Sequence, residues 1–176
     1  VIFTETKLPG AYVIELEKRG DARGFFARAF CQHEFAANGL MTVVAQTNLS
    51  FSQSAGTLRG MHYQSAPYAE AKLVRCTRGS LYDVIIDLRP ASATYRSWLG
   101  VELNTDNRRM LYVPEGFAHG FITLEDAVEV TYQVSQFYTP EAERGVRWDD
   151  PAFGIEWPLT PKVISDKDKR WPDYAG

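Results

Sequence analysis

Proton transfer at carbon near neutral pH calls for a side chain that can both take and give a proton, and histidine is the usual one. The chain has three: His33, His62 and His119. His33 falls in a short polar segment and reads as a solvated surface imidazole. His62 lies in Leu58-Arg59-Gly60-Met61-His62-Tyr63-Gln64, where strand alternation puts Leu58, Gly60, His62 and Gln64 on one face. If that face lines a barrel, His62 points inward, and Gly60 leaves room for a ligand to approach the backbone. A buried structural histidine fits the same spacing. His119, in Val113-Pro114-Glu115-Gly116-Phe117-Ala118-His119-Gly120-Phe121, stands where a turn enters a strand. The H-x-H pair with which small barrels often hold iron or zinc is missing, so the expected site has no metal.

Three further residues could join a histidine. Lys72 shares a strand face with Val74 and Cys76, and an inward ammonium needs a carboxylate, a ligand oxygen or a route to water. Tyr132 shares its face with Val128, Val130 and Val134, which buries the ring and leaves its hydroxyl to find a partner. Asp83 and Asp87 alternate with Ile85. Asp83 could orient a histidine by accepting from its ring N–H, or could serve an ordinary ion pair.

The elements that must position these groups are strands. Short apolar runs of period two (Tyr12-Val13-Ile14, Lys72-Leu73-Val74-Arg75-Cys76, residues 81–88 and residues 128–132) are separated by turn residues at Gly20-Asp21, Arg78-Gly79-Ser80, Arg89-Pro90, Thr105-Asp106-Asn107 and Pro114-Glu115-Gly116. This is the rhythm of an all-β sandwich or barrel. One short helix is predicted over residues 32–38, ended by Gly39. No linker or repeat divides the chain, so residues 1–176 read as a single domain with an irregular C-terminal extension from Asp149.

Composition excludes several classes. With 45% apolar and 23% charged residues in 176, the chain can bury a core without staples. A formal net charge of −3, with scattered basic residues, argues against nucleic acid as a partner. Cys31 and Cys76 form no metal or redox spacing. No signal-like segment or membrane-length apolar run is written, so the expectation is a soluble, cytoplasmic protein with no membrane partner.

Taken together, several stretches closely resemble the dTDP-4-dehydrorhamnose 3,5-epimerase family of nucleotide-sugar enzymes. They are Asp21-Ala22-Arg23-Gly24-Phe25-Phe26, Thr57-Leu58-Arg59-Gly60-Met61-His62-Tyr63-Gln64, Ala71-Lys72-Leu73-Val74-Arg75, residues 113–121, Gly154-Ile155-Glu156-Trp157-Pro158 and Ser165-Asp166-Lys167-Asp168, in family order. The resemblance implies a cupin-type jelly-roll β-barrel with short peripheral helices, a homodimer with strand exchange, and no cofactor. It implies inversion of C3 and C5 of a dTDP-4-keto-6-deoxyhexose, in deoxysugar biosynthesis of the dTDP-L-rhamnose type. By position, His62 resembles the general base and Asp168 its carboxylate partner. Lys72 resembles the residue that meets the keto oxygen, and Tyr132 the acid that returns a proton to the opposite face. His119 and Asp83 match supporting positions. Arg59, Gln46 and Asn48 resemble contacts to the diphosphate and base, and Tyr138 an aromatic near the nucleotide. Arg23 and Phe26 would reach into the neighbouring subunit's site.

The chain departs from the family pattern in places. Arg28 stands where many relatives carry a nucleotide-facing glutamate, which leaves the nucleotide open. Glu70 and the run Gln133-Val134-Ser135-Gln136-Phe137 also differ from commoner choices, which could tune the sugar or limit inversion to one carbon. A single-site epimerase or ketoisomerase, and a non-catalytic sugar-binding barrel, are the alternative readings. Strict alternation also separates Arg59 from His62, so having both in one site requires a bend, expected at Gly60.

Overall fold

The structure, a computed structural model, describes residues 1–175. In chain order the strands are β1 (Ile2–Glu5), β2 (Tyr12–Glu15), β3 (Arg19–Asp21), β4 (Gly24–Phe26), β5 (Gln46–Ser52), β6 (Thr57–Gln64), β7 (Lys72–Arg78), β8 (Ser80–Asp87), β9 (Trp98–Asn104), β10 (Met110–Val113), β11 (Phe117–Thr123), β12 (Val128–Val134), β13 (Glu143–Gly145) and β14 (Val163–Ile164). Two short helices, α1 (Gln32–Ala37) and α2 (Asp166–Lys169), lie outside them. The expected jelly-roll architecture is present as two facing sheets. One runs β1-β2-β10-β7-β12-β5; the other runs β13-β6-β11-β8-β9, with β14 added parallel to β6. Strands β3 and β4 form a separate hairpin.

The core has three parts, and each explains a sequence pattern. Between the sheets, Val74, Cys76, Val128 and Val130 pack on Leu81, Ile85, Leu103 and Phe121. Helix α1 covers the outer face of the first sheet, where Phe35 meets Leu73, Met110 and Tyr112. The C-terminal extension covers the outer face of the second, where Phe153 and Val146 meet Met61, Val84 and Ile86. Strand β8 is therefore buried on both faces, which is why its apolar run is nearly continuous rather than alternating.

The bend expected at Gly60 takes the form of a bulge. His62 pairs with His119 and Arg59 with Phe121, so Gly60 and Met61 of β6 together oppose Gly120 of β11. Past the bulge the pleat changes phase, and Met61 joins the outer cluster. The simple alternation that grouped Gly60 with His62 is thus corrected: Arg59 and His62, three residues apart, share the inner face. Gly60 has φ +135°, a conformation that L side chains rarely adopt. A Cβ there would lie 2.5 Å from Gly120 Cα and 3.0 Å from the His119 carbonyl oxygen. Both obstacles are backbone and cannot swing aside. Gly60→Ala should therefore destabilise the fold by about 2–5 kcal/mol, read as a lower urea midpoint with an unchanged slope.

Candidate active site

Between the sheets the apolar packing gives way to a cavity of about 450 Å³, lined among others by Ser50, Arg59, His62, Lys72, His119, Tyr132, Lys167 and Asp168. A second cavity of about 320 Å³ shares His62, Lys72 and Tyr132 with it and is walled by Gln46, Asn48, Gln64, Glu70, Tyr138 and Glu143. The three shared residues come from β6, β7 and β12. The sequence expectation that Lys72 and Tyr132 point inward beside His62 is met.

Asp168 reaches His62 from the C-terminal extension. Val163 and Ile164 pair parallel with Thr57 and Leu58 of β6, which sets the following turn of helix against that strand. Ser165 caps the helix by accepting from the Asp168 amide at 3.1 Å. The Asp168 side chain then turns inward, 4% exposed. Its Oδ1 lies 2.6 Å from His62 Nε2, and its Oδ2 accepts from the Gly60 amide at 3.3 Å. Burial alone would raise its pKa, but the hydrogen bond and charge of His62, with help from the Gly60 amide and Ser165, bring it below the ordinary carboxylate value. A carboxylate at Nε2 selects the tautomer with its hydrogen there, leaving Nδ1 as the basic nitrogen. The Trp171 ring stands edge-on to His62 at 6.5 Å between centroids, in space that Gly145 leaves free.

A second histidine–carboxylate pair lies beside the first. Asp83, fully buried on β8, faces His119 Nε2 on β11 at 2.7 Å. The histidine that Asp83 orients is therefore His119 and not the base candidate. Lys72 Nζ lies 3.2 Å from Glu70, both side chains being mostly buried. Of the partners open to an inward lysine, a carboxylate is the one present. Tyr132 is half-buried, and burial, then the Glu70 charge, raise its phenol pKa against the opposing pull of Arg59. Arg59 crosses to the first sheet, donating to Ser52 Oγ at 3.1 Å and to the Phe51 carbonyl at 2.9 Å.

Gln46, Asn48 and Tyr138 meet in the second cavity. Gln46 Oε1 accepts from the Tyr138 amide at 2.7 Å, and the Tyr138 hydroxyl donates to Glu143 at 3.0 Å. Glu143 also pairs with Lys167. Arg23, Phe26 and Arg28 are not brought to either cavity within this chain. Arg23 pairs with Asp21 at 2.6 Å, Phe26 is 68% exposed, and Arg28 faces Glu17 and Glu34 in a small separate hollow. They sit on or just after the β3–β4 hairpin, which pairs with neither sheet. Glu143, Lys167 and Ser50 line the site, and Trp171 stands against His62, without having been singled out from sequence. Lys167 was within reach, one residue before Asp168 in a quoted motif, whereas Glu143 follows an unpatterned turn and carries no such signal. Among the described residues no cluster of three or more His, Cys, Asp or Glu could hold a metal ion, and no helix is long and apolar enough to cross a membrane.

A carboxylate-paired imidazole, a buried ammonium and a half-buried phenol around one cavity define the polar site of this β-barrel protein. The chain belongs to the dTDP-4-dehydrorhamnose 3,5-epimerase family, whose model matches residues 5–175. It is 44% identical to the dTDP-4-dehydrorhamnose 3,5-epimerase of Sinorhizobium fredii, over 98% of this chain and 89% of that protein. Its structure is similar to that of the Bacillus anthracis dTDP-4-dehydrorhamnose 3,5-epimerase with TDP and PPi bound, with a TM-score of 0.94, 40% identity and coverage of 98% and 99% of the two chains. It is also similar to the Legionella pneumophila dTDP-6-deoxy-D-glucose-3,5-epimerase in complex with dTDP-4-keto-L-rhamnose, with a TM-score of 0.88, 36% identity and coverage of 95% and 89%.

The depressed pKa of Asp168 links the site to stability. A carboxylate held below its unfolded value stabilises the fold fully above that value, near pH 4, and the contribution is lost as pH falls through the folded pKa. Asp168→Asn should cost about 1–2 kcal/mol at pH 7. Urea melts should show that gap closing as pH drops below about 4.

Proposed function

We propose that this protein is a dTDP-4-dehydrorhamnose 3,5-epimerase, acting on a dTDP-4-keto-6-deoxyhexose in dTDP-L-rhamnose biosynthesis. The observation that carries the reading is the convergence of the Asp168-oriented His62 with Lys72 and Tyr132 on one cavity. The C4 ketone acidifies the protons on both of its neighbours, C3 and C5. His62 Nδ1 removes one of them, and the electron pair moves into the carbonyl to form an enolate. The Lys72 ammonium meets the developing oxyanion, the kind of contact whose loss costs on the order of a hundredfold in rate. Tyr132 returns a proton to the opposite face, because inversion requires the two carriers to flank the ring. Arg59 and Lys167, with His119 held by Asp83, supply positive or donor groups for the diphosphate and sugar oxygens. Gln46, Asn48 and Tyr138 extend the binding surface toward the nucleotide.

The bound groups named for the Bacillus anthracis and Legionella pneumophila relatives, TDP and dTDP-4-keto-L-rhamnose, support the same ligand class here. In deuterated water the protein should place deuterium at C3 and C5 of a dTDP-4-keto-6-deoxyhexose, with product NMR as the readout. His62→Ala should abolish exchange at both carbons, and Tyr132→Phe should slow inversion by at least about tenfold. Exchange at one carbon only would make the protein a single-site epimerase, and binding without any exchange would leave a sugar-binding barrel.

The same reading gives the β3–β4 hairpin its use. Arg23, Phe26 and Arg28 complete the site of a second subunit in a homodimer, which accounts for three candidate ligand residues lying away from their own chain's cavity. The exposure of Phe26, Leu49 and Phe51 supports an apolar contact between copies. Mixing two inactive variants, Arg23→Ala and His62→Ala, should then restore activity to about a quarter of the wild-type level, since half of randomly paired dimers carry one intact site. Absence of recovery after verified subunit exchange would count against a shared site.

A further inference from the structure

Glu70 lies on neither strand that bears the base or the acid, yet its carboxylate is aimed into their shared cavity. It precedes β7 by two residues. Its Oε1 is 3.2 Å from Lys72 Nζ, with the two side chains only 12% and 9% exposed. Its Oε2 faces Gln64 Nε2 at 3.5 Å, the outer limit of a hydrogen bond. Gln64 is itself anchored: its amide nitrogen donates to the carbonyls of Tyr68 at 2.9 Å and Phe137 at 3.2 Å, and its oxygen accepts from the Thr139 amide at 2.6 Å.

Enclosing two charges this far costs desolvation that an ion pair at the rim escapes. A pair two residues apart closes no long loop, so holding distant segments together is not its return. What it does settle is where the Lys72 ammonium sits. Its second effect is electrostatic and falls on Tyr132. The cations Arg59, Lys72 and Lys167 and the imidazoles of His62 and His119 share the two cavities with that phenol. Two other carboxylates there already have partners, Asp168 on His62 and Glu143 on Lys167. Glu70 is the carboxylate whose charge is felt at Tyr132.

We propose that Glu70 is a positioning residue of the reaction, a fixed anion that holds the Lys72 ammonium at the carbonyl end of the sugar and shares a cavity wall with the acid Tyr132. This rests on the epimerase reading. When Tyr132 gives its proton to carbon, its O–H bond breaks, a C–H bond forms from the enolate electron pair, and the ketone is restored. The phenolate left behind takes a proton from water, and the His62 imidazolium releases one to water, before the second carbon can be processed. Burial lifts the Tyr132 pKa above the ordinary phenol value and the Glu70 charge lifts it further, with Arg59 pulling the other way. The phenolate is thereby a stronger base, and the acid is reset between the two inversions.

The test compares wild type, Glu70→Gln, which keeps the size and removes the charge, and Glu70→Asp, which keeps the charge. Each full chain is assayed with a dTDP-4-keto-6-deoxyhexose in deuterated water across pH, alongside its thermal midpoint. Glu70→Gln should lower kcat by about tenfold with KM little changed. It should also move the alkaline limb of kcat to lower pH and raise the share of singly inverted product, while Glu70→Asp recovers most of the loss. A Glu70→Gln protein with wild-type kcat, alkaline limb and product ratio overturns the inference. So does a loss of rate that tracks a lowered thermal midpoint with the alkaline limb unmoved. Wild type that exchanges at neither carbon overturns the epimerase reading and this inference with it; wild type that exchanges, beside an unaffected Glu70→Gln, overturns this inference alone.

Discussion

The hydrogen bond between Asp168 and His62 is the interaction on which the rest of the site depends. It joins residues 106 apart in sequence, and it forms only when the C-terminal extension is in place. That extension is held at several points. Residues 163–164 add to β6 as a parallel strand, Asp173 pairs with Arg147 at 2.6 Å, and the Tyr174 amide donates to Asp150 at 2.7 Å. Trp171 fills the space over Gly145. The segment that looked like an irregular tail is thus the second sheet's outer cover and the carrier of the carboxylate that pairs with His62.

The polar end of the barrel follows a single rule: each enclosed acid faces a base. Asp168 faces His62, Asp83 faces His119, Glu70 faces Lys72, and Glu143 faces Lys167. An ionised group alone at such depth would be strongly unfavourable, and pairing makes it tolerable without making it a source of stability. The apolar cluster between the sheets supplies the fold, while the paired groups leave a polarised cavity at one end. Proton transfer needs both conditions, a rigid frame and charges already in position before the substrate enters.

The bulge at Gly60 shows how a local irregularity serves that frame. A regular β6 would send Arg59 to one face and His62 to the other. With two residues opposing one, both enter the cavity, and the close approach of Gly60 to Gly120 is possible because neither carries a side chain. The glycine in the motif was therefore a signal of backbone geometry as much as of ligand access.

Sequence by itself determined the all-β class, the short helix near residue 32, and the inward direction of Lys72 and Tyr132. Those features follow from period-two patterning, which is local and survives reading one residue after another. Glu70 stood out in sequence only as a departure from the family pattern, and its pairing with Lys72 was not legible. Tertiary structure decided the rest. The phase change at Gly60 comes from the register of β6 against β11, and the match of Asp83 to His119 rather than to His62 comes from the order of strands in the sheet. The arrival of Glu143, Lys167 and Trp171 beside His62 comes from the docking of segments far along the chain. Arg23, Phe26 and Arg28 lie outside their own cavity, on or just after a hairpin that pairs with neither sheet. Alternation tells which way a side chain faces, but which residues meet across a cavity is set by long-range strand pairing and tail packing, and no local pattern encodes that.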